Sequence, residues 1–408
     1  MVATAIIGCL FAIKSAATYG FSRILVTYSL TAGNLAAAEK AIQLTPKDAE
    51  AHFAGAALMS FSGAPDRAML EFERAVALRP DDYGLWSELG LLRDQMGDSD
   101  GAVATFDEAI KRAPYYSQPR WNRGNVLLRK GQYESAFNDL SQAAQSNPEL
   151  IPGLIDLAWS VSRGDVTTTE QLAQIKGDRM RIAFARFLAR HGRAEEVIAQ
   201  IGDADVPDAI RREVVEQLLA KGAFKEAFEV WKVTDRVGLG KETTRPLIYD
   251  GGFEGPLAFD QGGFGWRVPR QLDAISISLD SGRPDSGSKN LRIDFSGASN
   301  PGWVLVSQVI LVGPSKRYKV NFAGRSQDVI TGGLPILTIS DASGDKKLLG
   351  QSRPLEKGTS DWQVFNLEFT TTPSTEAVVL TLQRENCTMP CPIFGSISLD
   401  SFSIEKLN

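Results

Sequence analysis

Small and apolar positions recur every 34 residues along the first part of the chain. Pro46, Pro80, Pro114 and Pro148 share that spacing, as do Gly63, Gly97 and Gly131. Ala68, Ala102 and Ala136 follow in one phase, and Ala41, Ala75, Ala109 and Ala143 in another. Phe72, Phe106 and Leu140 keep the same register. A fixed period of this length is the mark of stacked supersecondary units. The pattern predicts helix, turn, helix in each unit. The alanines fall where two helices cross closely, and the large apolar residues fill the space between units. The glycines end the first helix, where φ > 0 is needed. The prolines end the second helix or start the next unit. One such unit cannot bury its apolar face alone, so stacking is required.

Past Pro148 the pattern weakens without stopping. Met180 to Ile201 reads as two helices around His191-Gly192-Arg193, and Ile210 to Trp231 as two more around Lys221-Gly222-Ala223. These read as two or three divergent units that include a terminal cap. Residues 236–246 are polar and glycine-bearing, as a linker should be. From Leu247 the period changes to two. Leu291, Ile293 and Phe295 alternate with Arg292 and Asp294, and Tyr318, Val320 and Phe322 with Lys319 and Asn321. Phe365, Leu367 and Phe369, then Val378, Leu380 and Leu382, repeat the pattern. Alternation between turn signals predicts half-buried antiparallel strands. About eight strands in this length suggest a sandwich or jelly roll.

The first half resembles the tetratricopeptide repeat family. Trp86, Leu89 and Gly90, then Ala102, Phe106, Ala109 and Pro114, match the family signature within one unit. The resemblance spans 16–235 and is strongest from 46 to 148. It implies a groove that binds a protein or peptide partner. The paired side chains with which some relatives clamp a C-terminal carboxylate are missing: Asn125 stands alone, with Leu91 at the equivalent place one unit earlier. Trp86 and Trp121 read as packing residues, and His52 and His191 as helix or turn residues.

The second half, 247–408, resembles carbohydrate-binding modules of the jelly-roll kind. Asp250-Gly-Gly-Phe-Glu254, Gly265-Trp266, Trp303, Tyr318 to Arg325, Asp361-Trp362-Gln363 and the closing Gly395 to Asp400 segment carry the likeness. It implies two sites. One is a structural calcium ion linking the ends of the sandwich, with Glu254 and Asp400 as hard oxygen ligands; the bland reading of both is a capped strand end. The other is a polysaccharide site, with Trp266 and Trp303 as aromatic platforms and Asn321, Arg325 and Gln383 facing away from the core. Core packing is the bland alternative for both tryptophans. Trp362 is assigned to packing.

Composition adds limits. A net charge of −5 and a pI near 5.4 argue against nucleic acid as a partner. The prolines around Cys387 and Cys391 make that stretch a loop, and a disulfide closing it fits an oxidising compartment. Two free thiols are the alternative. Residues 1–15 are mostly apolar, yet the run stops at Lys14, short of a membrane span. It reads as the remnant of a membrane anchor or signal whose start lies upstream, or as the beginning of the helical domain. Two histidines far apart give no triad or metal pair, and no phosphate-binding loop or nucleophile elbow is present. The expectation is a non-enzymatic, two-part chain: an all-α solenoid followed by an all-β jelly-roll sandwich. It would serve as an extracytoplasmic adaptor, with possible anchorage to the inner membrane, in assembly or export of surface polysaccharide. A protein-interaction scaffold without a sugar site is the alternative.

Overall fold

A computed structural model describes residues 2–201, 206–232, 248–257, 259, 262–298, 300–343, 346–388 and 390–407. The expected linker at 236–246 lies outside them. The chain divides into two compact units, Met1–Ile175 and Lys176–Asn408.

The first unit is a series of antiparallel helix pairs. It opens with α1 (Val2–Ala32) and α2 (Leu35–Leu44), followed by α3 (Ala49–Phe61) and α4 (Pro65–Leu78). Then come α5 (Tyr83–Gln95) with α6 (Ser99–Arg112), α7 (Ser117–Arg129) with α8 (Tyr133–Ser146), and α9 (Ile151–Val161) with α10 (Val166–Ala173). The repeat glycines do what the spacing predicts. Gly63, Gly97 and Gly131 follow the first helix of their pairs at φ 77°, 85° and 74°, a region that a Cβ disfavours. Each second helix ends two residues before its proline, at Leu44, Leu78, Arg112 and Ser146. Asp48, Asp82 and Asp98 cap the helices that follow them by accepting backbone N–H bonds. Among the described residues, no helix is long and apolar enough to cross a membrane.

The packing explains the alanines and glycines inside the helices. Ala68, Ala102, Ala109, Ala136 and Ala143 are fully buried. A Cβ on Gly90 would lie 2.8 Å from the Phe106 ring, and one on Gly124 would lie 2.8 Å from Leu140 Cγ. Helix propensity favours alanine over glycine by about 1 kcal/mol. Overpacking a core costs about 1–3 kcal/mol, and the fully buried Phe106 ring cannot yield. Gly90→Ala should therefore lower the urea midpoint of the repeat region. Gly20→Ala, on α1 with nothing within 4 Å, should not.

The second unit holds four more helices and the β-domain. The helices are α11 (Gly177–Arg190), α12 (Ala194–Ile201), α13 (Asp208–Ala220) and α14 (Phe224–Trp231). The second helices shorten along the chain, from 14 residues in α8 to 8 in α10, α12 and α14. The strands are β1 (Ile275–Asp280), β2 (Asn290–Ala298), β3 (Val306–Leu311), β4 (Arg317–Thr331), β5 (Pro335–Asp341), β6 (Leu348–Gln351), β7 (Gly358–Thr370), β8 (Ala377–Arg384) and β9 (Pro392–Leu407). They form an antiparallel sandwich of two sheets, β1-β2-β9-β4-β7 and β3-β8-β5-β6. The alternating residues meet between them: Leu291, Ile293, Val320, Phe322, Phe365, Leu380 and Leu382 share one core.

The last two helices of this unit are fastened to the sandwich. Glu216 on α13 accepts the Gly263 N–H at 2.7 Å and pairs with the Arg267 guanidinium at 2.6 Å. Trp231 on α14 meets Tyr249 edge-on at 5.0 Å, and Phe228 meets Phe264 at 5.1 Å. Lys225 pairs with Glu376 at 2.8 Å.

Candidate functional site

The outer face of the five-stranded sheet carries a polar groove of about 560 Å³. Register sets its floor. Arg325 on β4 stands opposite Ser398 on β9, and Gln327 opposite Ser396. On β2, Arg292 faces Ser398 and Asp294 faces Ser396. Ser326 also lines the groove, and its buried hydroxyl has no hydrogen-bond partner. Asp328, Thr359 and Asp361 complete the walls.

Charges in the groove are held in place. Arg325 donates to the Gly282 carbonyl at 2.9 Å, lies 3.7 Å from Asp280, and stacks on the Trp362 ring at 5.1 Å. Burial, with the nearby Arg283, pulls its guanidinium below the ordinary arginine range. The Asp294 carboxylate, at 2.8 Å, pushes Arg292 in the opposite direction. The Trp362 indole N–H donates to the Arg283 carbonyl at 3.0 Å, and the exposed Arg283 guanidinium pairs with Asp361. The site offers hydroxyls, a fixed guanidinium and carboxylates, with the Trp362 ring beside it stacked by Arg325. That set can take up a polyol by hydrogen bonding.

The residues named from the sequence do not all meet here. Arg325 lines the groove and Asn321 lies on the same strand. Gln383 is on β8, paired with Ile336, so it belongs to the opposite sheet. With Leu382 and Leu380 buried between the sheets, Gln383 faces away from the Arg325 side. Trp303 sits in the turn before β3, also of the other sheet. Trp266 is 7% exposed, stacks on Phe253 at 4.9 Å and donates its indole N–H to the Asp250 carbonyl. It is a core residue with no ring face for a sugar. Trp362, assigned to packing from the sequence, is the tryptophan beside the groove. Carrying the Phe365, Leu367, Phe369 alternation back along β7 puts it on the outer face, a signal the sequence held.

Glu254 and Asp400 anchor a loop. Asp400 accepts the Asp285 and Ser286 N–H groups at 2.9 and 3.1 Å and that of Ser401 at 2.6 Å. Glu254 accepts the Ser288 and Lys289 N–H groups at 2.7 and 3.1 Å and the Ser288 hydroxyl. Burial raises the Asp400 carboxyl, whereas the Ser288 bonds hold Glu254 below its ordinary value. These donors turn the positive ends of their dipoles toward the carboxylates, a surrounding that does not suit a cation. No group of three or more His, Cys, Asp or Glu residues able to hold a metal occurs among the described residues. The calcium expected from the family likeness therefore finds no fitting donor set. The anchored segment, 281–289, is the one that holds Arg325 and Trp362 from above.

In the first unit, Val26, Leu30, Phe53 and Leu85 line a second groove of about 570 Å³ with Glu50, Arg79 and Glu88 around them. Burial raises the Glu88 carboxyl. Asn125 donates to the Trp121 carbonyl of its own helix at 2.8 Å, so its amide is spent locally. His52 is buried between Glu71 and the Pro46 carbonyl.

Comparison with known proteins agrees with the helical geometry. The family model of the tetratricopeptide repeat matches residues 55–117 and 87–151. Residues 55–151 carry tetratricopeptide repeats. Among solved structures, one match is MamA, residue 41 to the end, from Desulfovibrio magneticus RS-1. It is 18% identical, covers 38% of this chain and 90% of that one, and has a TM-score of 0.34. Pseudomonas aeruginosa PilF is 16% identical, covers 54% of this chain and 99% of that one, and has a TM-score of 0.35.

Proposed function

We propose that this chain is a non-catalytic, extracytoplasmic adaptor. Its tetratricopeptide repeats hold a protein partner and its sandwich binds a polysaccharide on the outer face of the five-stranded sheet. The observation that carries the second half is the groove beside Trp362, with its Ser396 and Ser398 floor and the braced Arg325 guanidinium. Its lining charges balance, Arg283 and Arg325 against Asp328 and Asp361, which suits a neutral, hydroxyl-rich chain. The disulfide described below supports an oxidising compartment. Assembly or export of a surface polysaccharide is the process such a pairing would serve.

The test is affinity electrophoresis of the full chain through gels that contain neutral or uronic polysaccharides. Retardation by a neutral glycan is expected, and Trp362→Ala should weaken it about tenfold, or about 1.4 kcal/mol. No retardation of the folded chain by any glycan overturns the sugar site. One observation favours a second reading, a protein-docking sandwich. Ile330 and Phe394, 64% and 46% exposed, pair across β4 and β9 on the same outer face.

A further inference from the structure

Cys387 and Cys391 form a disulfide with Cα atoms 6.0 Å apart. It closes the loop between β8 and β9. The two sulfurs differ in surroundings. Cys391 is 3% exposed, and Cys387 is only partly covered. Arg384, the last residue of β8, is itself 2% exposed. Its Nη2 lies 3.0 Å from Cys391 Sγ and 4.0 Å from Cys387 Sγ. The guanidinium is fixed there by the Thr331 hydroxyl at 2.8 Å, the Gly333 carbonyl at 3.1 Å and the Cys391 carbonyl at 3.0 Å. Gly333 is also pressed on the bond: a Cβ there would lie 2.8 Å from Cys387 Sγ.

A disulfide that only braces a loop has no need of a buried cation on one sulfur. A cation within hydrogen-bond reach stabilises the thiolate of that sulfur, and a stabilised thiolate leaves more readily in exchange. We infer that Cys387–Cys391 is an exchangeable disulfide that a dithiol reductant opens at Cys387, with Cys391 leaving as a thiolate held by Arg384.

The step balances as follows. A thiolate of the reductant bonds to Cys387 Sγ, the S–S bond breaks, and its electron pair leaves on Cys391 Sγ. The second thiol of the reductant loses its proton and displaces Cys387, which takes a proton up. Two electrons pass to the protein, and the reductant departs as its own disulfide. Burial lowers the Arg384 guanidinium from its ordinary value, yet an arginine stays charged at neutral pH. Thr331 and Gly333, which the turn between β4 and β5 packs against this pair, carry no charge.

The first test uses the full chain with Cys9→Ala and Cys387→Ser, which leaves Cys391 as its single thiol. Its thiolate absorbance is titrated against pH. The midpoint should fall at least about one unit below the ordinary thiol value of about 8.5. Arg384→Met should return it upward, and Arg384→Lys should keep part of the depression. A midpoint at or above the ordinary value, in a chain with native circular dichroism, overturns the inference.

The second test needs no cysteine change. Dithiothreitol opens the intact disulfide, and alkylation followed by mass measurement gives the rate. Arg384→Lys should open about threefold or more faster than Arg384→Met. Both variants lose the arginine fork, so they share any loss of packing. Equal opening, or faster opening in Arg384→Met, overturns the inference.

Discussion

Asp139→Ala should destabilise the first unit by about 3 kcal/mol. Asp139 is 1% exposed and lies on α8. Arg123 on α7 grips it with two bonds, Nε to Oδ2 and Nη2 to Oδ1, each 2.6 Å. The same guanidinium reaches Asp107 on α6, and Arg120 lies 3.9 Å from Asp139. One cation thus ties three successive helices together. The Asp139 bonds, above all, hold Arg123 above the ordinary arginine range.

Removing one partner of a buried pair costs about 3–5 kcal/mol, because the other charge is left without compensation. Two features place this variant at the low end. The Arg123 side chain is 22% exposed, and Asp107 remains as a second acceptor. Asp139→Asn keeps the shape and should lose less. Asp139→Leu with Arg123→Met should recover much of the loss, since well-packed apolar residues often replace a buried pair without penalty. Urea unfolding followed by circular dichroism at the helix band reads all three variants against the wild type. If Asp139→Ala unfolds at the wild-type midpoint, the pair is decorative.

The repeat half was legible because its physics is local and periodic. Gly90 and Gly124 are small for the same reason, a ring or a leucine from the next helix of the same pair. Repetition turns one packing rule into a pattern on the sequence. The sandwich was legible only in part. Alternation places Gln383 on the outside of its own sheet, but nothing in the alternation says which sheet that is. Strand order is set by pairing between distant segments, such as β9 between β2 and β4. So Arg325 and Gln383, both correctly read as outward, face opposite sides.

Trp266 failed for another reason. A tryptophan after a glycine turn has no alternation to orient it, and its partners Phe253 and Phe402 come from far along the chain. The Glu254 and Asp400 carboxylates converge on one loop, Glu254 from the segment before β1 and Asp400 from the middle of β9. Their donors, the backbone N–H groups of 285–289, have no side-chain signature and cannot be read from residue types. The Arg384 contact with the disulfide is of the same kind. Its distance from Cys391 along the chain is short, but only the closing of the loop brings guanidinium and sulfur together.

Trp231→Ala should cost the second unit about 3–5 kcal/mol, the usual range for a buried aromatic truncated to alanine. The ring is 6% exposed and fills the space between α14 and the sandwich. Tyr249 meets it edge-on, Phe264 lies 5.7 Å away, and Gly263 approaches so closely that a Cβ would stand 2.6 Å from the indole. Gly263 holds φ 93°, which a side chain would resist. The segment around it is fixed twice more. Glu216 binds its N–H, and Gln308, fully buried on β3, exchanges two 2.9 Å bonds with the Tyr249 backbone. A sandwich cut at 247, where the period-two pattern begins, would therefore expose Phe264 and Tyr249 and leave Arg267 without Glu216. Such a fragment should melt lower than residues 176–408, or aggregate. Trp231→Ala within 176–408 should fall between them. Differential scanning calorimetry of the three proteins decides it: equal melting temperatures would mean that the helices only rest against a sandwich that folds without them.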